Sequence, residues 1–256
     1  MEFKIPPSTE EYGFVTDGLG AHSGRTIMLG DLRLLLAACP PSAQLEDYKD
    51  AILNSNILLK KTIAARKESF SRLKRLYGLD PEIYLFKVLR NLWEHNQNAQ
   101  PTLALLYAMA RDPILRSTAD FVIDLPEGTR IAAPQFADVV GDAFPGELNE
   151  KTLASIGRNI ASTYTQSGHL RGRSVKERVH VESFTTSITY ALLLGYLCEE
   201  RGEALYHTSW VRLLDSPIHK IQTKAQLASQ QGWLEYRYAG RMTDISFNYL
   251  LQGMDT

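Results

Sequence analysis

The strongest constraint on this chain's fold is how proline cuts its apolar periodicity. Between residues 44 and 124 apolar residues recur at helical spacing, and the cuts fall at Asp80-Pro81 and Asp112-Pro113. In each pair proline suits a first helical turn, where its missing N–H costs nothing, and aspartate stands in position to cap. A chain written this way makes short helices in succession, whose apolar stripes are buried against one another. The segments predicted are Leu32–Cys39, ended by Pro40-Pro41, then 44–77 in one or two pieces, 81–96, 101–111 and 114–124. Up to about Asp31 the chain reads as irregular, because Pro6, Pro7, Gly13, Gly18, Gly20, Gly24 and Gly30 break any period.

From Pro126 the punctuation changes. A short helix is predicted near Pro134–Phe144, and a long one over 150–166, capped by Asn149 and stopped by Ser167-Gly168. His180–Glu182 reads as extended, Ser183–Glu200 as helix, Ser209–Leu214 as a short helix and Thr223–Gln231 as a helix ended by Gly232. Trp233–Tyr238 alternates, Ala239-Gly240 turns, and Arg241–Phe247 alternates again, as in a β-hairpin. Helix, glycine, then hairpin is how a winged-helix unit ends. The expected fold is mainly α: a helical bundle over 1–125, then a winged-helix-like helical region over 126–256 closing with a short β-hairpin.

Composition narrows the class. With 44 % hydrophobic and 22 % charged residues in 256, the chain is neither disordered nor low-complexity. Cys39 and Cys198 form no CxxC, so a disulfide framework or structural zinc site is poorly supported, and no cofactor is expected. The uncharged stretch Ser183–Cys198 is shorter than the roughly 20 apolar residues that span a bilayer. Met1–Pro7 lacks a basic flank followed by an apolar region, so the expected location is cytoplasmic, without a membrane partner.

Net charge is −1, yet the charge is segregated. Residues 51–75 carry a net +6 and 151–180 a net +5, while 1–50, 76–150 and 181–256 carry −4, −6 and −2. Two nearly pure basic blocks on a neutral chain suggest a surface for a polyanion, although either block alone suits a solvated face equally well. On a helix, Leu59, Ile63, Phe70, Leu73 and Tyr77 fall in one apolar arc. Lys60, Lys67 and Lys74 recur along its edge, Lys61, Arg72 and Arg75 project outward, and Glu68 alone balances them. Such a ridge can meet several phosphates at once. Arg66 falls inside the arc, where pairing with a buried acceptor or snorkelling suits it better than a ligand.

On the 150–166 helix, Leu153, Ile156, Ile160 and Tyr164 form the packing arc, with Gly157 permitting a tight contact. The far face carries Lys151, Ser155, Arg158, Asn159 and Ser162, types that hold phosphate oxygens or read base edges. Alone, that face reads as an ordinary polar exterior rather than a binding surface. The adjoining His169–Arg178 segment, with Arg171, Arg173, Lys176 and Arg178, tips the balance, because a mobile basic arm suits backbone tracking.

Enzyme motifs fail. Gly20-Ala21-His22-Ser23-Gly24 only superficially resembles a nucleophile elbow, glycines 18, 20 and 24 miss GxGxxG, and no histidine pair has metal-ligand spacing. Glu199-Glu200 reads as an exposed helix end. Trp93, Trp210 and Trp233 read as core, whereas Tyr236 and Tyr238 suit stacking on a nucleotide.

Several segments together resemble the BrxA family of BREX phage-defence systems. They are Asn54–Leu58 leading into Lys60–Leu76, Leu85–Leu92, Leu105–Val122 with Ala110–Leu115, Leu148–Leu153, Ser167–Leu170 and Tyr190–Tyr196. The resemblance spans most of 25–215, and the glycine-rich start and the Trp233–Phe247 hairpin depart from shorter family members. It implies an N-terminal bundle similar to the NusB fold and binding of double-stranded DNA without known catalysis. It also implies service beside a methyltransferase, an alkaline-phosphatase-like protein and an ATPase. The expected function is non-enzymatic DNA binding in phage defence, with a protein–protein scaffold or an RNA-binding protein as alternatives.

Overall fold

The computed structural model describes residues 3–18, 20–239 and 242–251. The chain is mainly helical, with a three-stranded antiparallel sheet and a separate two-stranded hairpin. The opening is irregular as expected, apart from 3-10 turns at Pro7–Tyr12 and Ala21–Ser23. Then come α1 (Leu29–Ala38), α2 (Leu45–Leu53), α3 (Ile63–Tyr77), α4 (Tyr84–Trp93) and α5 (Gln100–Arg111). The expected 114–124 helix is two short ones, α6 (Pro113–Arg116) and α7 (Ala119–Ile123). Asp112 caps α6 by accepting from Leu115 N at 3.1 Å, as the Asp-Pro reading required. At the other Asp-Pro pair, Asp80 instead accepts from Glu82 N at 2.9 Å, which closes a turn and delays α4 to Tyr84.

The second part contains β1 (Arg130–Ile131), α8 (Ala133–Ala143), α9 (Glu150–Gln166), β2 (Leu170–Gly172) and β3 (Lys176–Arg178). These are followed by α10 (Thr185–Leu197), α11 (Ser209–Arg212), α12 (Ile218–Gln230), β4 (Glu235–Ala239), β5 (Met242–Ser246) and α13 (Asn248–Leu251). The turn of the final hairpin includes Gly240 and Arg241, which lie outside the described residues; its strands pair Glu235 with Ser246 and Tyr236 with Ile245.

At the centre lies α10, apolar on all sides and buried from Thr186 to Gly195, as a helix without a polar face must be. It packs against α4, α5, α11 and α12. Tyr190 reaches from it to donate to Leu85 O at 3.1 Å. The buried apolar residues, from Phe14 to Leu250, form one cluster. No helix among the described residues is long and apolar enough to cross a membrane, and both cysteines are free and buried.

Two expectations are corrected. Leu59, Lys60 and Lys61 precede α3 rather than belonging to it. The Asn56 amide accepts from Lys60 N at 2.9 Å and donates to Lys60 O at 3.2 Å, closing a loop that a helix would have to break. Leu59 and Ile63 are therefore 82 % and 65 % exposed, outside the packing arc. The supposed mobile arm is sheet: β3 pairs with β2 on one side and β1 on the other. Gly172, at φ 113°, allows the chain to turn where a Cβ would meet Val175 O.

Candidate nucleic-acid interface

Helix α3 is capped by Thr62, whose hydroxyl accepts from Ala65 N, and is followed by Gly78. Ser69, Leu73, Leu76 and Tyr77 are its buried side, and Tyr77 donates to Ile27 O at 2.7 Å. Lys67 and Lys74 stand exposed on the opposite side, and Lys61 is exposed just ahead of the helix. None of these three side chains has an ion pair or hydrogen bond among the described residues. Arg66 donates to Leu53 O at 2.9 Å, the acceptor its place in the arc called for.

The other cations of this block are engaged. Lys60 lies between the carboxylate oxygens of Asp31 at 2.8 and 2.9 Å. Glu68 takes Arg25 at 3.1 Å and Arg72 at 3.6 Å. Arg75 is exposed and has a partner of its own. Arg25 thus joins a cluster that the sequence blocks did not include.

Helix α9 buries Ile156, Gly157, Ile160, Ala161, Thr163 and Tyr164, with Leu153 half-buried. Tyr164 stacks on Phe136 of α8 at 5.7 Å. A Cβ at Gly157 would collide with Ala133 O and stand 3.1 Å from Ala137 N, so glycine sets the distance between α8 and α9. Lys151 and Arg158 are exposed without partners among the described residues, and Ser155 is half-buried. The Asn159 amide does not face outward freely: it donates to His22 O at 3.1 Å. A cleft of about 700 Å³ between α8 and α9 is lined by Arg158 and also by Asp138, Asp142 and Glu150. These carboxylates lower the positive potential that a phosphate would meet there.

In the sheet, Arg171 pairs with its cross-strand neighbour Glu177 at 2.9 Å, and Lys176 donates to Gly172 O at 3.3 Å. Arg173, at the tip, is exposed and unpaired among the described residues. Arg178 is a correction. It is 1 % exposed and sits in a bidentate ion pair with Asp215 at 2.5 and 2.9 Å, while also donating to Val122 O at 3.0 Å. Its charge holds β3, α7 and the Asp215 loop together and cannot reach DNA.

The two basic helices meet through the glycine-rich segment 20–31. On the α3 side, Asp31 holds Lys60, Ile27 O receives Tyr77 and Arg25 shares Glu68 with Arg72. A Cβ at Gly24 would collide with the Arg72 guanidinium, so glycine lets that cation lie against the backbone. On the α9 side, Asn159 bonds His22 O, Thr163 accepts from Ile27 N at 3.1 Å, and Gln166 accepts from Leu29 N at 3.0 Å. The periodicity of the helices gave no sign of this bridge; its only trace was the glycine spacing that broke every period.

The bridge is pinned by a buried relay. His22 Nδ1 meets Asp112 Oδ2 at 2.8 Å and Nε2 meets Thr163 Oγ1 at 2.9 Å, and all three side chains are fully enclosed. Burial alone would raise the Asp112 pKa, but the His22 charge and hydrogen bonds from the His22 ring, Leu115 N and His22 N outweigh it, holding the carboxyl below its ordinary value. Hydroxyl, imidazole and carboxylate follow one another as in a hydrolase triad. Complete enclosure keeps substrate from the Thr163 hydroxyl, and the relay fastens residues 22–27 onto α9. Among the described residues no group of three or more His, Cys, Asp or Glu is placed to hold a metal ion.

Trp93 and Trp210 are core, as read, whereas Trp233 is half-buried in a surface cleft and Tyr238 is 63 % exposed on β4. No protein-family model matches the chain, and no curated protein matches it.

Proposed function

We propose that the protein binds duplex DNA non-enzymatically through backbone phosphates, as a cytoplasmic component of a BREX-type phage-defence assembly. Its partners there would be the methyltransferase, the alkaline-phosphatase-like protein and the ATPase. What supports the DNA reading is that the two basic helices, distant in sequence, pack on one shared segment, with Lys67, Lys74, Lys151 and Arg158 on them and Lys61 just ahead of α3 exposed and, among the described residues, unpaired. Surface cations without an ion-pair partner are the kind that release counterions from DNA, Arg158 less than the lysines because Asp138, Asp142 and Glu150 share its cleft. Because Asn159 is bonded to His22 O, base reading from α9 rests on Arg158, and sequence preference should be weak. The resemblance to BrxA supports the place in phage defence.

A mobility shift with duplex DNA over a salt series tests the reading, with structured RNA as competitor. Affinity should fall steeply with salt, and RNA should compete no better than duplex. Stronger competition by RNA would move the assignment to RNA binding.

A second reading, a protein scaffold, is favoured by one observation: Leu59 and Ile63 are exposed beside the basic row. Pull-down of partner components after nuclease treatment separates the readings, since a scaffold keeps its partners once nucleic acid is gone. Loss of every partner on nuclease treatment would count against it.

A further inference from the structure

The N-terminus of α10 opens into a cleft of about 490 Å³ lined by His95, Asn96, Thr185, Thr186, Lys224 and Trp233. The thirteen-residue helix directs its first-turn N–H groups, those of Thr185, Thr186 and Ser187, toward this end, where no intrahelical acceptor exists. Phe184 at the N-cap offers no side-chain oxygen to accept from them. The Ser187 hydroxyl bonds the Phe184 backbone, accepting from its N–H at 3.0 Å, and so covers a different group.

A second observation is independent of the helix end. Thr186 is 3 % exposed, it lines the cleft, and its buried hydroxyl has no hydrogen-bond partner among the described residues. A buried hydroxyl left without a partner costs about 1–3 kcal/mol, so its persistence calls for an explanation. Lys224 lies half-buried across the cleft, donating to Ser183 O, with its cation 5.6 Å from the Phe184 ring centre. The Asn96 amide oxygen is occupied by Asn98 N at 2.9 Å, which leaves its NH2 as a further donor. None of the residues lining this cleft is a carboxylate. An adjoining groove of about 590 Å³ shares His95 and Trp233; its Glu235 is engaged by Arg237 and Asn248.

We infer that this cleft binds a terminal phosphate monoester attached to a flat ring, the chemistry of a nucleotide. The phosphate sits on the first-turn N–H groups with the Thr186 hydroxyl and Lys224, and the ring lies against Trp233. The same chemistry occurs in a free mononucleotide and at the 5′-phosphorylated end of a strand. This inference does not depend on the duplex-binding reading, since it uses none of the same residues.

Tryptophan fluorescence and calorimetry on the full chain test it with AMP, adenosine, inorganic phosphate, and a short oligonucleotide with and without its 5′-phosphate. Trp93 and Trp210 are 2 % exposed, so quenching reports Trp233. AMP should bind saturably, more tightly than inorganic phosphate, and adenosine more weakly than either. A 5′-phosphate that strengthens oligonucleotide binding beyond that of AMP assigns the site to strand ends, and equal or weaker binding assigns it to free nucleotide. Thr186→Val should weaken AMP about fivefold or more without lowering the unfolding midpoint, because it removes a hydroxyl that bonds nothing in the free protein. Lys224→Met should weaken AMP independently. No saturable AMP signal up to about 10 mM, unchanged affinity in both variants, or AMP binding no tighter than phosphate would overturn the proposal.

Discussion

Arg178 shows how far a residue's charge can mislead about its place. Its sequence neighbours Arg171 and Arg173 are exposed, yet its guanidinium is enclosed with Asp215 and a ring of carbonyl oxygens. Removing one member of a buried pair leaves the other uncompensated, so Asp215→Asn should destabilise the fold by about 3–5 kcal/mol in equilibrium denaturation. Arg173→Ala should leave the midpoint unchanged. Neither the β-strand alternation of so short a segment nor its composition separates these two arginines. That separation comes from Asp215, which a distant loop supplies, and long-range partners leave no local mark.

Two buried groups set the acid response. Burial, outweighing the nearby Asp215 carboxylate, pulls the His169 pKa below its ordinary 6.5, and Asp112 is held below 3.8. In both cases the unfolded chain takes up a proton before the folded one, so stability falls as pH falls. The loss should begin below about pH 6.5 through His169 and resume below about pH 4 through Asp112. Denaturation series over that range should show both windows, with Asp112→Asn abolishing the lower and leaving the upper. A single window, or an upper one that vanishes in Asp112→Asn, would contradict this assignment.

At the scale of elements, α8 and α9 approach closely where Gly157 faces the α8 backbone at Ala133 and Ala137. Gly157→Ala gains helix propensity of about 1 kcal/mol but drives a methyl into the α8 backbone, at a cost of about 1–3 kcal/mol or more. The net change in thermal unfolding should be destabilising. Gly30→Ala, in the first turn of α1, meets nothing within 4 Å and should stabilise slightly. Proline and cap chemistry made most elements legible: Asn149 opens α9, Asp112 opens α6, and Pro40 follows α1. Misreadings fell where side chains bond their own backbone, as Asn56 does in the loop that detaches Lys60 and Lys61 from α3. A periodicity argument counts apolar residues and is blind to such a loop.

For the whole molecule, the basic blocks come together in a way their positions in the chain could not reveal. They are joined by the segment 20–31, which has no period, and by a relay between residues as far apart as His22, Asp112 and Thr163. Some of the cations counted in sequence are spent on structure, namely Lys60, Arg72, Arg171 and Arg178. Those left unpaired carry the proposed function. The most direct measurement is duplex-DNA affinity of wild type and a variant combining Lys61→Glu, Lys67→Glu, Lys74→Glu, Lys151→Glu and Arg158→Glu, across a salt series. The account predicts a log–log salt slope of about −0.9 for each phosphate neutralised in the wild type. It also predicts a loss of at least about tenfold in the variant at low salt, with an unchanged unfolding midpoint. Equal affinity of the two proteins, or no binding by the wild type at low salt, would contradict it.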